Sequence, residues 1–257
     1  MSSSSSIRAR RIVGTSLKMY FDLESTTKYL EGVAALAEHA DSHNVDLFVI
    51  PDFLSISEGR RILKATSVLL GAQDTFWEDK GAYTGEVSPL SLAQAGVRIV
   101  EVGHAERRRI FGETDDQVAL KCTAAARNGL IPLVCAGEKA SSSIASAAVG
   151  LAVEEVRPQV LSAVRAVPDD VEIIIAYEPV WAIGAAEPAG ADHVVSVTKA
   201  IREMVSGRKG TTRILYGGSA GPGTYKKLVD GVDGLFLGRF AHDLGNLRMV
   251  IEEVAES

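Results

Sequence analysis

The sequence predicts a single α/β domain, a closed (β/α)8 barrel. Short apolar runs alternate with longer helical segments, and eight such units follow one another without a Pro-, Gly- or Ser-rich linker. The runs are nearly all apolar rather than alternating, which is typical of parallel strands buried on both faces. An open, doubly wound sheet made of the same units is an alternative on the number of elements alone.

The order of the elements along the chain supports this fold. Strands are predicted at residues 11–16, 46–50, 68–73, 98–103, 131–135, 172–177, 212–216 and 234–237. Helices are predicted at residues 25–39, 115–128, 142–166, 193–207 and 244–255. Thr114 and Gln117 have the spacing of a capping box, and Asn128 with Gly129 should end the same helix. Residues 74–89 form a long loop with three aromatic side chains, so it should fold over its own chain or insert into a partner.

Composition excludes several classes of protein. The chain has 257 residues with 27 basic and 33 acidic side chains, and hence a formal net charge of −6. Its hydrophobic fraction of 46% excludes disordered, collagen-like and disulfide-rich chains. No apolar run reaches the roughly 18 residues of a membrane helix, and the acidic balance argues against a nucleic-acid partner. A small phosphorylated ligand is compatible with this charge, because a few local donors can hold it.

The cysteines and the first residues bear on compartment and domain boundaries. Cys122 and Cys135 are too few for a disulfide framework, which favours a reduced protein of the cytoplasm. Residues 1–11 are rich in Ser and carry three arginines without any acid. We expect them to form a disordered N-terminal tail, followed by one domain over residues 12–257.

Three predicted strand ends carry side chains suited to acid–base chemistry. Lys18 follows the first strand, His104 the fourth and Glu178 the sixth. In a barrel of this kind, the carboxyl ends of all strands meet at one face, so a cation, an imidazole and a carboxylate can converge there. Each residue taken singly could equally have a structural role, but three such residues at strand ends that share one face indicate a catalytic site.

Glycine-containing loops after the seventh and eighth strands indicate an anion site. Gly217, Gly218 and Ser219 follow the seventh strand, and Gly238 with Arg239 follows the eighth. Backbone N–H groups at these positions of a barrel can hold phosphate; plain turns that need a flexible glycine are the alternative. The sequence contains no nucleotide-binding or metal-binding motif, so we expect neither a cofactor nor a metal.

Several stretches, in the same order, resemble triosephosphate isomerase over nearly the whole chain from Gly14 onward. They are residues 71–74 (GAQD), 81–86 (GAYTGE), 102–108 (VGHAERR), 176–184 (AYEPVWAIG) and 214–219 (ILYGGS). The resemblance implies a TIM barrel that acts as an aldose–ketose isomerase on a small phosphorylated sugar. It also implies a homodimer, or a higher oligomer, in which the tip of the third loop at Thr84 enters the neighbouring active site.

The same resemblance implies roles for the catalytic residues. Glu178 would move a proton between two carbons through an enediolate. His104, neutral because a short helix begins beside it, would polarise the carbonyl, and Lys18 would offset the developing charge. Glu106 would pair with Lys18 and orient it, the alternative being a surface ion pair with the adjacent arginines.

Substrate binding is likewise implied by resemblance. Residues 179–189 would form a lid whose Gly184 joins Ser219, Gly238 and Arg239 around the phosphate. Ser16 would contact a substrate oxygen. The chain departs from the family pattern at Ser16 and Asp74 (usually Asn), at Ala105 (usually Ser), in the hinge of residues 185–188, and at Arg239 (usually Gly).

These departures leave three hypotheses for function. The first is a triose-phosphate isomerase, which interconverts dihydroxyacetone phosphate and glyceraldehyde 3-phosphate. The second is an isomerase of a four-carbon ketose phosphate of the erythrulose phosphate type, because the changes lie where the ends of the substrate are held. The third is a non-catalytic relative that binds metabolites or partners. Arg239 could bond the phosphate, pair with Glu187 across the closed lid, or remain solvated.

Overall fold

Eight parallel strands close into a barrel in the order in which they occur along the chain. The computed structural model describes residues 10–142, 144–185 and 188–257. The closed ring confirms the predicted (β/α)8 TIM barrel and excludes the open sheet. The strands are β1 (Arg11–Ser16), β2 (Val45–Ile50), β3 (Leu69–Ala72), β4 (Ile99–Val102), β5 (Ile131–Ala136), β6 (Ile173–Tyr177), β7 (Thr212–Tyr216) and β8 (Gly234–Leu237). Ser16 pairs with Ile50 and Tyr177 with Tyr216, so these carboxyl ends are level at one face.

Helices surround the barrel. They are α1 (Leu23–Ala35), α2 (Ala37–Ser42), α3 (Ile56–Leu63), α4 (Pro89–Gln94), α5 (Ala105–Phe111), α6 (Asp115–Arg127), α7 (Ala145–Ala166), α8 (Ala191–Val205), α9 (Tyr225–Leu228) and α10 (Leu244–Glu256). The capping box of α6 is present: Gln117 N donates to Thr114 Oγ1, and Gln117 Oε1 accepts from Thr114 N. The helix predicted at 25–39 is broken at Leu36. The short α3, α4 and α9 have no counterpart among the predicted helices, because few turns give little periodicity. The short α5 is the helix that the family resemblance implied beside His104.

The core has two layers. Inside the barrel, alternate residues of the strands form one cluster: Ile12, Phe48, Ile50, Ile99, Leu133, Cys135, Ile174, Ala176, Leu215 and Phe236. A larger cluster lies between the outer faces of the strands and the helices. Gly14 leaves room for the Phe48 ring, because a Cβ on Gly14 would lie 2.2 Å from it. Because these side chains fill the barrel interior, a ligand has room above the carboxyl ends of the strands rather than inside the barrel.

The first strand begins within the residues predicted to form the N-terminal tail. Arg11 belongs to β1 and pairs with Val45, and Arg10 forms salt bridges with Asp41 and Asp46. The ordered domain therefore includes the last two residues assigned to the tail, and the remaining residues, 1–9, lie outside the described part of the chain. Within the described residues, no helix has the length and apolar character needed to cross a membrane.

The long loop after β3 folds back on its own chain for much of its length. Phe76 is buried, its ring stacks on Trp77 at 4.1 Å, and its N–H donates to Val87 O at 2.8 Å. At the base of the loop, buried Asp74 accepts from Lys121 at 2.7 Å. The acid at position 74 therefore has a cation as its partner. The tip of the loop is less buried than its base, since Tyr83 is 45% exposed.

Candidate active site

One cavity of about 1040 Å³ lies at the carboxyl ends of the strands. Every site residue singled out in the sequence lines it: Ser16, Lys18, His104, Glu106, Glu178, Gly184, Ser219, Gly238 and Arg239. These residues come from strand ends that are far apart in sequence. The closure of the barrel brings them to one mouth.

Glu178 leaves the end of β6 and points into the barrel mouth. Its N–H donates to Ala136 O at 2.8 Å, which continues the ladder between β5 and β6 by one residue. Its carboxylate lies against Gly217, where a Cβ would come within 2.4 Å of Oε1. Burial raises the pKa of Glu178 to about 8, and the negative charge of Glu101 adds to this effect. A carboxylate with a raised pKa is a stronger base than an ordinary glutamate.

His104 faces Glu178 across the mouth. It is the N-cap residue of α5, where its Nδ1 accepts from the Glu106 N–H at 3.1 Å. The proton of the neutral ring must then reside on Nε2, which lies 3.6 Å from Glu178 Oε2. Burial lowers the pKa of His104 to about 4, and the Lys18 ammonium adds to this effect. The ring is therefore neutral near pH 7, and burial contributes to that state beyond the helix terminus invoked from the sequence.

Lys18 is held in an uncommon backbone conformation. Its φ of 49° lies in the left-handed region, and its carbonyl accepts from Gln73 Nε2 at 2.8 Å. Its Nζ donates to Glu106 Oε1 at 2.7 Å. Burial acts to lower the pKa of Lys18, but the hydrogen bond and charge of Glu106 outweigh it and raise the pKa. A strained backbone that directs a charged side chain into a cavity is common at functional sites.

The loops after β6, β7 and β8 form the opposite side of the mouth. Gly184 has a φ of 71° and is exposed, and Ser219 Oγ donates to Ala185 O at 2.7 Å, which ties two of these loops together. Arg239 is exposed, and its guanidinium lies 5.9 Å from the centre of the Tyr20 ring. The suggested pair of Arg239 with Glu187 involves a residue outside the described part of the chain.

The sequence reasoning missed one cavity residue with evident chemistry, Glu101. It lies within β4 and is only 3% exposed. Burial raises its pKa to about 7, against the opposing effect of the Ser16 side chain. The signal was visible in the sequence, since a single acid interrupts the apolar strand of residues 99–102. Its meaning depends on which face of the strand it occupies.

Comparison with known proteins agrees with this architecture. The family model described as triosephosphate isomerase matches residues 11–254. The chain belongs to the triosephosphate isomerase family. It is an isomerase of that family, as its fold and the stretches quoted above predicted.

Individual relatives differ in the names they carry. An L-erythrulose-1-phosphate isomerase of Pectobacterium atrosepticum is 41% identical over 249 residues, covering 94% of this chain and 94% of the relative. One of Rhizobium meliloti is 40% identical over 252 residues, covering 95% and 97%. A triosephosphate isomerase of Thermoanaerobacter pseudethanolicus is 39% identical over 238 residues, covering 89% and 93%.

These relatives correct the leading functional hypothesis. The expectation of a triose-phosphate isomerase proper, acting on dihydroxyacetone phosphate and glyceraldehyde 3-phosphate, is wrong. Several relatives at 40–43% identity are L-erythrulose-1-phosphate isomerases, and these findings support the second hypothesis instead. Two of the stretches that suggested the triose enzyme contain His104 and Glu178. Such stretches identify the chemistry shared within a family better than they identify the substrate.

Proposed function

We propose that this protein isomerises L-erythrulose 1-phosphate by moving a proton between adjacent carbons. The observation that carries the proposal is the convergence of Lys18, His104 and Glu178 in one cavity. The L-erythrulose-1-phosphate isomerases among the relatives support the substrate. A purely binding role would not require a neutral imidazole 3.6 Å from a carboxylate of raised pKa.

The first chemical step is removal of the proton on C3. The substrate carries phosphate on C1, a carbonyl at C2, a hydroxyl on C3 and a hydroxymethyl group as C4. The Glu178 carboxylate takes the C3 proton, and the electron pair of the C–H bond forms the C2–C3 double bond while the C2 oxygen becomes negative. Return of the proton to C2 moves the carbonyl to C3. The product is therefore a second ketose, erythrulose 4-phosphate, so the aldose–ketose type of isomerase does not apply.

His104 and Lys18 stabilise the charge that develops on oxygen. The Nε2–H of a neutral His104 donates to the substrate oxygens and can transfer a proton between them, because its Nδ1 is already engaged by the Glu106 N–H. The Lys18 ammonium lies beside them, oriented by Glu106. Fixed donors of this kind stabilise an enediolate more than they stabilise the ketone.

The loops at Gly184, Ser219, Gly238 and Arg239 are proposed to hold the phosphate. Backbone N–H groups of glycine-containing loops can approach phosphate closely. Binding there orients C3 towards Glu178, since C1, which carries the phosphate, and C3, which loses the proton, lie on opposite sides of the carbonyl carbon C2. Arg239 can contribute charge from the rim of the cavity, where its guanidinium lies 5.9 Å from the centre of the Tyr20 ring.

Direct observation of the reaction tests this function. Purified protein is incubated with L-erythrulose 1-phosphate in D₂O and followed by ³¹P and ¹H NMR. We expect a new phosphate ester signal, and solvent deuterium on the carbon that receives the proton. The specificity constant kcat/KM should exceed that for dihydroxyacetone phosphate by at least about tenfold. Faster turnover of dihydroxyacetone phosphate, or no conversion of the four-carbon ketose, would overturn the proposal.

The pH dependence of kcat/KM should follow ionisation of Glu178. Since Glu178 must be ionised to accept a proton, kcat/KM should rise with pH up to about 8, the raised pKa of this group. Glu101→Gln removes a negative neighbour, which should lower that pKa and move the rise to lower pH by about one unit. The substrate phosphate titrates alike in both profiles, so it cannot produce the difference. An unshifted profile would contradict the coupling.

Gly217 should be required for the position of the base. The variant Gly217→Ala places a Cβ within 2.4 Å of Glu178 Oε1, so the carboxylate must move. We expect kcat to fall by about 10²-fold, because displacement of a base by about 1 Å has that effect. Gly221→Ala in the same loop is the control: the nearest atoms to its Cβ belong to the movable Phe240 ring, at 3.4 Å. Equal effects of the two variants would refute this role of Gly217.

Assembly as a homodimer is a further part of the proposal. Large apolar side chains are exposed after each of the strands β1 to β4: Met19, Tyr20, Phe53, Leu54, Tyr83, Ile110 and Phe111. Apolar surface grouped on four neighbouring loops is typical of a subunit interface. We expect sedimentation velocity to give a dimer of the 27.3 kDa chain at micromolar concentration. A fully active monomer at nanomolar concentration would contradict it.

A further inference from the structure

A buried carboxylate that the proposed mechanism does not use lies in the wall of the cavity. Glu101 is 3% exposed and faces the barrel interior, where its Oε1 lies 4.0 Å from Cys135 Sγ. Its Oε2 has no hydrogen-bond partner among residues 10–142, 144–185 and 188–257. Because a buried carboxylate oxygen without a partner is costly, and because Glu101 lines the cavity, a ligand is the natural partner for it.

The surroundings of Glu101 suit a hydroxyl group. The Ser16 side chain is beside it, is buried, and lines the same cavity. Burial raises the pKa of Glu101 to about 7, so protonated and ionised forms coexist near neutral pH. A hydroxyl both donates and accepts hydrogen bonds, and it can therefore satisfy either form. A second anion would be repelled, since Glu178 and Glu106 are also close.

The position of β4 in the barrel indicates which part of the substrate reaches Glu101. In the ring of eight strands, β4 lies diametrically opposite β8. Ser219 follows β7 and Gly238 follows β8, so the proposed phosphate site is on the far side of the mouth. A substrate that extends from that site past Glu178 and His104 points its other end towards β4. In a four-carbon ketose 1-phosphate, that end is the C4 hydroxymethyl group.

We propose that Glu101, together with the Ser16 hydroxyl, binds the C4 hydroxyl of the substrate and so determines selectivity for four carbons over three. The inference rests on the proposed function, whose substrate it explains. A triose phosphate lacks this hydroxyl and leaves the buried carboxylate unpaired. Sites built to bond a substrate hydroxyl discriminate strongly against analogues that lack it, for this reason.

A different role for Glu101 predicts a different result. Glu101 also raises the pKa of Glu178 through its charge. If that were its sole effect, substitutions at Glu101 would change turnover of every substrate by the same factor at a given pH. Direct contact with the C4 hydroxyl instead changes only the preference for substrates that carry this hydroxyl. The ratio of two specificity constants separates the two roles.

The test compares two substrates that differ in one atom. They are L-erythrulose 1-phosphate and 4-deoxy-L-erythrulose 1-phosphate, in which a methyl group replaces the hydroxymethyl group. The parent should favour the full substrate in kcat/KM by about 10- to 100-fold. In Glu101→Met, which retains length and loses the polar atoms, the preference should fall to within about threefold. Glu101→Gln, which alters the side chain least, should lose about half of the preference on a logarithmic scale.

The matched control is Cys135→Ala, which alters a buried neighbour of Glu101 that is absent from the cavity lining. It should change both specificity constants by one factor and leave their ratio as in the parent. A parent without preference for the full substrate, or a preference retained within about twofold in both Glu101 variants, would overturn the inference. Failure of the parent to convert L-erythrulose 1-phosphate at all would instead refute the proposed function. Should Glu101→Met fail to fold, Glu101→Gln decides the question alone.

Discussion

Replacement of Glu178 by Asp is expected to lower kcat by about 10²- to 10³-fold and to leave KM within about threefold of the parent. The shorter side chain withdraws the carboxylate from C3 by about one methylene length, or roughly 1.5 Å. Proton transfer to carbon depends steeply on that distance, whereas separate loops hold the phosphate in the proposed complex. Steady-state kinetics on L-erythrulose 1-phosphate measures both constants.

A second acidic variant controls for general damage. Glu253 is a buried glutamate outside the cavity, and it accepts from the backbone N–H groups of Gly223 and Lys226. Glu253→Asp should lower the melting temperature and change kcat by no more than a few-fold. If Glu178→Asp retained activity within a few-fold of the parent, Glu178 would not be the base.

Removal of the ammonium group in Lys18→Met is expected to lower kcat/KM by at least about 10³-fold. In the proposed mechanism its charge stabilises both the bound phosphate and the enediolate, so kcat should fall and KM should rise. The protein should still fold, because Glu106, the hydrogen-bond partner of Lys18, is 43% exposed in its side chain and can be solvated. Circular dichroism and thermal melting check the fold, and initial rates give both constants.

The control for this variant is another lysine with a carboxylate partner. Lys28 pairs with Glu24 on the exposed face of α1. Lys28→Met removes the same charge from the molecule but leaves the cavity unaltered, and its kcat/KM should equal that of the parent within about twofold. A comparable loss in both variants would show that net charge, rather than the position of Lys18, controls the reaction.

Much of the fold could be predicted because its signals are local. β1, β7 and β8 begin and end at the predicted residues, and the capping box of α6 was readable from Thr114 and Gln117. The short α5, whose N-cap residue is His104, follows from the family resemblance and not from an apolar period of its own. A helix of two turns has too few residues to display an apolar period. Its position depends on the strand end from which it starts.

The prediction of substrate shows where sequence reasoning stopped. The departures at Ser16 and Arg239 indicate changes near the ends of the substrate, yet the family stretches favour the triose enzyme, and that expectation is wrong. The residue that we now connect with the fourth carbon, Glu101, was overlooked within an apolar strand. A linear pattern does not show that Glu101 lies in the wall of the cavity next to Ser16.

The strands, the parallel barrel, and the presence of a lysine, a histidine and a glutamate at three strand ends can all be predicted from the sequence. Each of these follows from apolar runs or from short stretches that resemble a known family. The tautomer of His104, the raised pKa of Glu178 and the position of Glu101 Oε2 all depend on tertiary structure, and that oxygen has no hydrogen-bond partner within the part of the chain that the structure describes. The physical reason is that desolvation and charge coupling depend on distances across the barrel mouth, between residues up to 160 positions apart (Lys18 and Glu178). Only closure of β8 onto β1 creates those distances.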